Sequence, residues 1–265
     1  MRRRALLSTA ASTAIAGLAF GTAGCLAGPV RGSRELASGE VVTLDGVDFE
    51  VGDLRLQTTF VEQGQPFWHW DAQANPRGRF AVLPLAPTGG ESSNAADAVR
   101  NATVRTEFDG GEASTGALVN ESDQDGYRLA ASVPDRDTVQ DGAVVLENGG
   151  PVRYPLTDAH LDVLADPPRY STALDVPAET GGATVPVEFV LTNDGSNPGT
   201  VAWTTTHGVI ADAWWTHRTT VPAGETVRAT HVHDTRVGDG SYDSIYVDVD
   251  YGIGDEDFEV AVVDD

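Results

Sequence analysis

Four of the six histidines fall within 27 residues of one another, at His207, His217, His231 and His233. In His231-Val232-His233 the two imidazoles are spaced so that, on a β-strand, both rings leave the same face. Two imidazoles so placed can hold one Zn or Cu ion if a neighbouring strand brings a third ligand, for which His217, His207 and Asp234 are candidates. The competing reading is a His-x-His that arises by chance, its rings exposed or one of them packed at a sheet edge. Nothing in the sequence fixes the third ligand, so the default expectation is no cofactor, with Zn or Cu at His231, His233 and His217 as the alternative. Blue-copper chemistry is excluded more firmly, because it needs a thiolate and usually an axial thioether. The chain has one Cys, Cys25, and one Met, Met1, both far from any histidine in sequence.

Aromatic side chains gather in Phe67-Trp68-His69-Trp70 and in Trp214-Trp215-Thr216-His217. Presented at a sandwich edge, Trp68, Trp70, Trp214 and Trp215 would form a platform for a glycan or a surface protein. Packed inward, they would only fill a core, as expected for Trp203 between Val201 and Thr205. If Trp214 and Trp215 share a strand, one ring faces in and the other out. No Gly-x-Ser-x-Gly elbow, His-Glu-x-x-His helix or phosphate-cradling Gly loop occurs, so a hydrolase is the less favoured class and no catalytic residue is assigned. Asp123-Gln124-Asp125-Gly126 lacks the distal Glu of a calcium loop, and Asp248, Asp250, Asp255 and Asp257 read as surface strand positions. Asn101-Ala102-Thr103 and Asn120-Glu121-Ser122 have the N-glycosylation pattern.

The elements that must position these residues are strands. Beyond residue 40 the hydrophobic pattern alternates with period two and is broken by Gly, Asp, Asn and Pro clusters every eight to twelve residues. Val185, Val187, Phe189 and Leu191 share one face, as do Ile245, Val247 and Val249, and again Phe258, Val260 and Val262. With 169–176, 199–206, 214–221 and 225–233, about seven strands follow the rhythm of an immunoglobulin-like sandwich. Residues 40–155 predict a second set of strands, at 41–51, 53–61, 79–85, 102–108, 114–119, 127–133, 143–147 and 151–155, with a loop over 86–98. Between the halves, Leu156-Thr157-Asp158 opens a short helix that Pro167-Pro168 stops. The fold class is therefore all-β: two immunoglobulin-like antiparallel β-sandwich domains, 40–155 and 169–265, joined by a short helix at 156–168.

Within the second half, VPVEFVLTNDGSNPGTV followed by VPAGETV resembles CARDB-like immunoglobulin modules of prokaryotic surface proteins. RGRFAVLPLAP and AVVLENGGPVRYPL resemble the opening domain of uncharacterised two-domain halophile secreted proteins. The charge fits such a source: 40 acidic residues stand against 17 basic ones, all of them Arg, for a net charge of -23. Such a surface repels nucleic acid and anionic lipid. In molar salt, where the Debye length is about 3 Å, its self-repulsion is screened. The composition resembles that of extremely halophilic archaea.

At the N-terminus, Arg2, Arg3 and Arg4 precede a short apolar run to Phe20, the layout of an export signal at 1–24. Arg3-Arg4-Ala5-Leu6-Leu7 resembles a twin-arginine signal. Thr22-Ala23-Gly24-Cys25 resembles a lipobox, which implies lipidation of Cys25, a lipid-anchored stalk at 25–39 and residence on the outer face of the cell membrane. The expected protein is a non-catalytic surface lipoprotein that serves as a binding, adhesion or envelope-structural module. Its alternative role is extracytoplasmic Zn or Cu binding through His231 and His233.

Overall fold

The computed structural model describes residues 34–63, 70–75, 78–89, 94–109, 111–114, 118–122, 126–134, 140–147, 150–182, 184–207, 214–234 and 243–263. Arg3 and Arg4 of the expected export signal, Cys25, the expected lipidation position, and Trp68 lie outside them, as do the side chains of Trp214 and Asn120. The chain is all-β and built as two sandwiches, each with its own apolar core.

In the first sandwich β1 (Arg34–Glu35), β2 (Val41–Leu44), β3 (Val47–Val51) and β4 (Arg55–Gln57) are followed by the hairpin β5 (Thr59–Gln63) and β6 (Trp70–Ala74). Then come β7 (Gly78–Pro87), helix α1 (Ala95–Arg100), β8 (Thr103–Phe108), β9 (Gly111–Ser114), β10 (Leu118–Ser122), β11 (Gly126–Pro134), β12 (Gly142–Glu147) and β13 (Pro151–Pro155). One sheet has the order β1-β13-β12-β8-β9 and the other β10-β11-β7-β3-β2, with β4 also on β7. The structure departs from the sequence reading in several places; residues 53–61, for one, are not a single strand but β4 on β7 and the start of β5 on β6. Residues 41–51 are not one strand but a hairpin, turned at Asp45 and Gly46. Both have positive φ, at 45° and 82°, as a type I′ turn requires. The loop expected at 86–98 contains the start of α1, whose Ala95, Ala98 and Val99 are buried. Arg34 and Glu35, assigned to the stalk, pair in parallel with Val152 and Arg153, and Leu36 enters the core.

Helix α2 (Asp158–Ala165) links the halves, and its N-terminus is the capping box that Thr157 foreshadows. The Thr157 hydroxyl accepts from the His160 amide, while the His160 ring accepts from the Thr157 amide at 3.0 Å. Its Leu161 and Leu164 pack into the first core, so the helix belongs to that sandwich.

The second sandwich holds β14 (Tyr170–Asp175), β15 (Glu179–Thr180), β16 (Thr184–Asn193), β17 (Gly199–His207), β18 (Trp214–Val221), β19 (Thr226–Asp234), β20 (Ser244–Asp250) and β21 (Asp255–Val262). The sheet β14-β16-β19 faces the sheet β15-β21-β20-β17-β18. Among the described residues, all pairings are antiparallel except the short parallel contacts β1·β13 and β15·β21. Asn193 is buried in the turn predicted there. Its amide NH2 donates to the carbonyls of Asn197 and Val221, and its Oδ1 accepts from the Gly195 amide.

The hairpin β5–β6 docks the sandwiches together. Strand β20 reaches along β17 only to Asp250, opposite Thr204, so the β17 backbone beyond that point lacks a sheet partner on this side. Residues 58 and 59 supply one. The Thr58 amide donates to Thr200 O at 3.0 Å. The Thr59 hydroxyl donates to Ala202 O and accepts from the Ala202 amide, both at 2.7 Å. Val61 and Ala72 bury Ala202 between them, and the Ala72 amide donates to the Asp250 carboxylate at 2.8 Å.

A candidate metal centre between the sheets

The interior of the second sandwich changes character along its length. At one end Leu191 on β16 lies opposite Val227 on β19, and Val201 on β17 opposite Thr219 on β18. Further along, the inward positions become Trp203 opposite His217 and Thr205 opposite Trp215 in one sheet. In the other they become Val187 opposite His231 and Val185 opposite His233. His207 ends β17 on the same inner face. Period two therefore places all four imidazoles of the C-terminal half between the sheets. They lie beside β18 and β19, the edge strands of the two facing sheets.

The four rings form a connected series. Their centroids are 4.8 Å apart for His207 and His233, 4.5 Å for His233 and His231, and 4.8 Å for His231 and His217. The indole of Trp215 touches three of them, at 5.3 Å from His207, 4.8 Å from His231 and 4.9 Å from His233. Trp203 stacks on His217 at 4.1 Å and donates its indole N–H to Thr219 at 3.1 Å. His233 is fully buried and His207 nearly so, whereas Trp215, His217 and His231 are half-buried and face the open side.

A buried imidazole nitrogen normally has a hydrogen-bond partner. Here five do not among the described residues: both nitrogens of His207, Nε2 of His217, Nε2 of His231 and Nδ1 of His233. The His233 tautomer follows from its one contact. Thr205 Oγ1 lies 2.9 Å from His233 Nε2 and donates its single proton to Asp248 O at 3.1 Å. The hydroxyl can therefore only accept from His233, which puts the ring proton on Nε2 and leaves Nδ1 as a bare, buried lone pair. A metal-ligating histidine has this arrangement, one nitrogen fixed by an outer partner and the other free to coordinate.

Burial, and after it the neighbouring imidazoles, lower the basicity of the rings: His217 to about 4, His233 to about 3, and His231 downward as well. All three are neutral at pH 7, the form that binds metal. Two imidazoles sharing an ion at about 2 Å per nitrogen have centroids about 5 Å apart at a tetrahedral angle. The three ring contacts above already have that spacing. No ready-made group of three His, Cys, Asp or Glu donors is present among the described residues.

The sequence pairing of His231 and His233 on one face is thus found, and His217 joins them through His231. His207, weighed only as one of three candidate third ligands, contacts His233 directly. Asp234 lies next to His233 on the opposite, exposed face of β19 and does not enter the cluster. Of the tryptophans expected to form a surface patch, Trp68 and the side chain of Trp214 lie outside the described residues, and Trp215 and Trp70 are half-buried. Trp215 is an inward wall of the imidazole cluster, and Trp70 packs half-buried against Val61, Ala72 and Ala202 at the seam between the sandwiches. Trp203 is the core tryptophan, as read from sequence. Asn101 is exposed at the end of α1.

Carboxylates gather on the outer face of β20 and β21. Asp248 lies opposite Asp257, and Asp250 opposite Asp255; Glu62 and Asp71 face each other on the docked hairpin. Burial and then Asp257 raise the Asp248 pKa to about 6, and Asp71 and Asp255 both bear on Asp250.

No protein-family model and no curated protein matches the chain. Among solved structures, a β-glucosidase from Listeria innocua is similar over 36% of this chain at 16% identity and TM-score 0.31; the chain spans only 16% of that enzyme. Chicken CNTN1 FN1-FN3 domains align over 80% of this chain and 66% of theirs, at 12% identity and TM-score 0.17. DIP-gamma IG1+IG2 aligns over 71% and 90%, at 10% identity and TM-score 0.16. The architecture therefore rests on the strand order described above.

Proposed function

We propose that this protein is a non-catalytic, extracytoplasmic binding module that takes up a transition-metal ion between the sheets of its second sandwich. His231 and His233 are the central ligands, with His207 or His217 as the third. The observation that carries this reading is the set of five buried imidazole nitrogens left without partners on four rings in mutual contact. Each buried, unpaired polar atom costs about 1–3 kcal/mol, and an ion with affinity for imidazole would satisfy several at once. The donor set suits Zn or Cu, which imidazole binds well, and not the hard cations that prefer oxygen. The half-buried His231 and His217 at the open side offer the ion a way in. In this reading the N-terminal signal and Cys25 place the module outside the membrane on a lipid anchor.

The test is metal content. Mature protein purified in high salt, with Zn and Cu supplied at equal concentration, is expected to retain close to one metal ion per chain by elemental analysis. The double substitution His231→Ala and His233→Ala should abolish retention while leaving the circular dichroism of the sandwich unchanged. Wild-type protein that retains no metal under these conditions would remove the reading.

A further inference from the structure

Resting on the extracytoplasmic placement proposed above, and not on the metal, we infer that Asn101 carries an N-linked oligosaccharide and that Asn120, which has the same sequence pattern, does not.

The pattern Asn-x-Ser/Thr is read as a carboxamide that accepts the sugar and a hydroxyl two residues further on. At 101–103 the fold presents both. Asn101 caps the C-terminus of α1 with φ -84° and ψ -8°, and its backbone amide donates to Asp97 O and Val99 O. Thr103 opens β8. Ala102 between them is buried, and its amide donates to Val99 O at 3.1 Å, so the chain is pinned where it turns from helix into strand. Asn101 and Thr103 are exposed on either side of that pin. Among the described residues neither side chain makes a hydrogen bond, so a sugar on Asn101 displaces no contact of the fold.

At 120–122 the backbone is held differently. Asn120, Glu121 and Ser122 all lie inside β10, in register with Arg128, Tyr127 and Gly126 of β11. A signal of the twin-arginine kind carries the chain across the membrane already folded, so a transferase outside meets the finished surface. To bend residues 120–122 into its cleft, the enzyme must first open part of the β10·β11 ladder, whereas the corner at Asn101 needs no opening.

The transfer requires a lipid-phosphate-linked oligosaccharide as donor. A bond forms between Asn101 Nδ2 and C1 of the first sugar as the bond from C1 to the phosphate oxygen breaks. Nδ2 gives up one proton, and the lipid phosphate leaves as the anion. No oxidant or reductant takes part. The uncharged sugar keeps this corner hydrated in molar salt, where repulsion between surface carboxylates is screened.

The experiment is peptide mapping of the protein exported by its own cells. Trypsin cuts after Arg79, Arg100, Arg105 and Arg128, so the two patterns fall on separate peptides, 101–105 and 106–128. The oligosaccharide mass should appear on 101–105, or on 80–105 where the sugar shields Arg100, while 106–128 keeps its unmodified mass. Asn101→Gln and Thr103→Ala should each remove the added mass, and Thr103→Ser should keep it. Unmodified Asn101 in a chain that has lost its export signal would overturn the inference and leave the extracytoplasmic reading intact. Unmodified Asn101 in a chain held inside the cell with its signal attached would overturn both. Sugar on 106–128 would overturn the choice of Asn101 over Asn120.

Discussion

Replacing His233 by Leu should stabilise the metal-free protein, a result opposite to that expected for a histidine that serves only the fold. His233 is fully buried, its Nδ1 has no partner among the described residues, and its Nε2 makes one hydrogen bond, to Thr205. Leucine has a similar volume and removes the orphaned nitrogen, whose desolvation costs about 1–3 kcal/mol. The lost hydrogen bond returns about 1 kcal/mol of this, because the Thr205 hydroxyl keeps its bond to Asp248 O. Apolar contact with Val185 adds a further gain. The net expectation is a stabilisation of about 1–2 kcal/mol at pH 8, read as an upward shift of the denaturant midpoint at constant slope, in high salt with chelator present. Acid enlarges the difference. The folded-state pKa of His233 is about 3, below the 6.5 of the unfolded chain, so the unfolded state binds the proton first and stability falls as pH drops below 6.5. By pH 5 wild type should lose about 2 kcal/mol through this one group, and the Leu variant should be spared that share. Added metal should raise the wild-type midpoint and leave the variant's unchanged. Destabilisation of the metal-free variant by more than about 1 kcal/mol at pH 8 would refute the reasoning, since it would mean that the imidazole is a satisfied structural residue.

Three other substitutions probe the surroundings of the site. Asp248→Asn should stabilise the fold at pH 8 and low salt by about 1 kcal/mol, a figure discounted because the carboxylate is half-exposed. Its raised folded pKa makes the ionised form the unfavourable one, so the gain should fade as pH falls from 6 towards 3.8, and also in molar salt, with the melting temperature as readout. Thr59→Val strips the partner from both the amide and the carbonyl of Ala202, so it should cost about 2–4 kcal/mol and speed hydrogen exchange at the Ala202 amide. Cys25→Ser should move the exported protein from the membrane fraction to the medium; persistence in the membrane would contradict lipid anchoring.

Alternation made the second sandwich legible residue by residue. Val185, Val187, Phe189 and Leu191 are all fully buried where the period-two pattern puts them inside, and Trp203 is the central aromatic. The same rule shows that His231 and His233 share a face. Two histidines do not declare whether that face is core or solvent, since the apolar residues that would settle it, Val185 and Val187, lie on another strand. Alternation likewise requires one of Trp214 and Trp215 to face in without saying which. The inward direction of Trp215 follows from sharing a face with Val221, six residues on and fully buried. In the first sandwich, Asp45-Gly46 carried a local hairpin signal that an unbroken apolar pattern obscured. The run Ala95-Ala96-Asp97-Ala98-Val99 has helical propensity, hidden by its Gly- and Ser-rich flank. The docking of Thr59 on Ala202 spans 143 residues of sequence and has no local signature at all.

The second sandwich divides its interior between two tasks, and strand β17 shows how they coexist. At the end bearing Val201 and Trp203 the core is hydrocarbon and indole, with Phe189 and Tyr251 in ring contact and no buried charge, which is where the stability of the domain comes from. At the His207 end, imidazole replaces hydrocarbon at four neighbouring inward positions, a change that costs stability unless something occupies the lone pairs. Such a loss is tolerable only if the surrounding backbone is held from elsewhere. The outer side of β17 meets that need, because Thr58 and Thr59 of the first sandwich complete its hydrogen bonding where β20 stops. The first sandwich therefore contributes to the site without touching it, by bracing the strand that presents Thr205 and His207. Loosening the seam should weaken metal affinity even though every ligand remains.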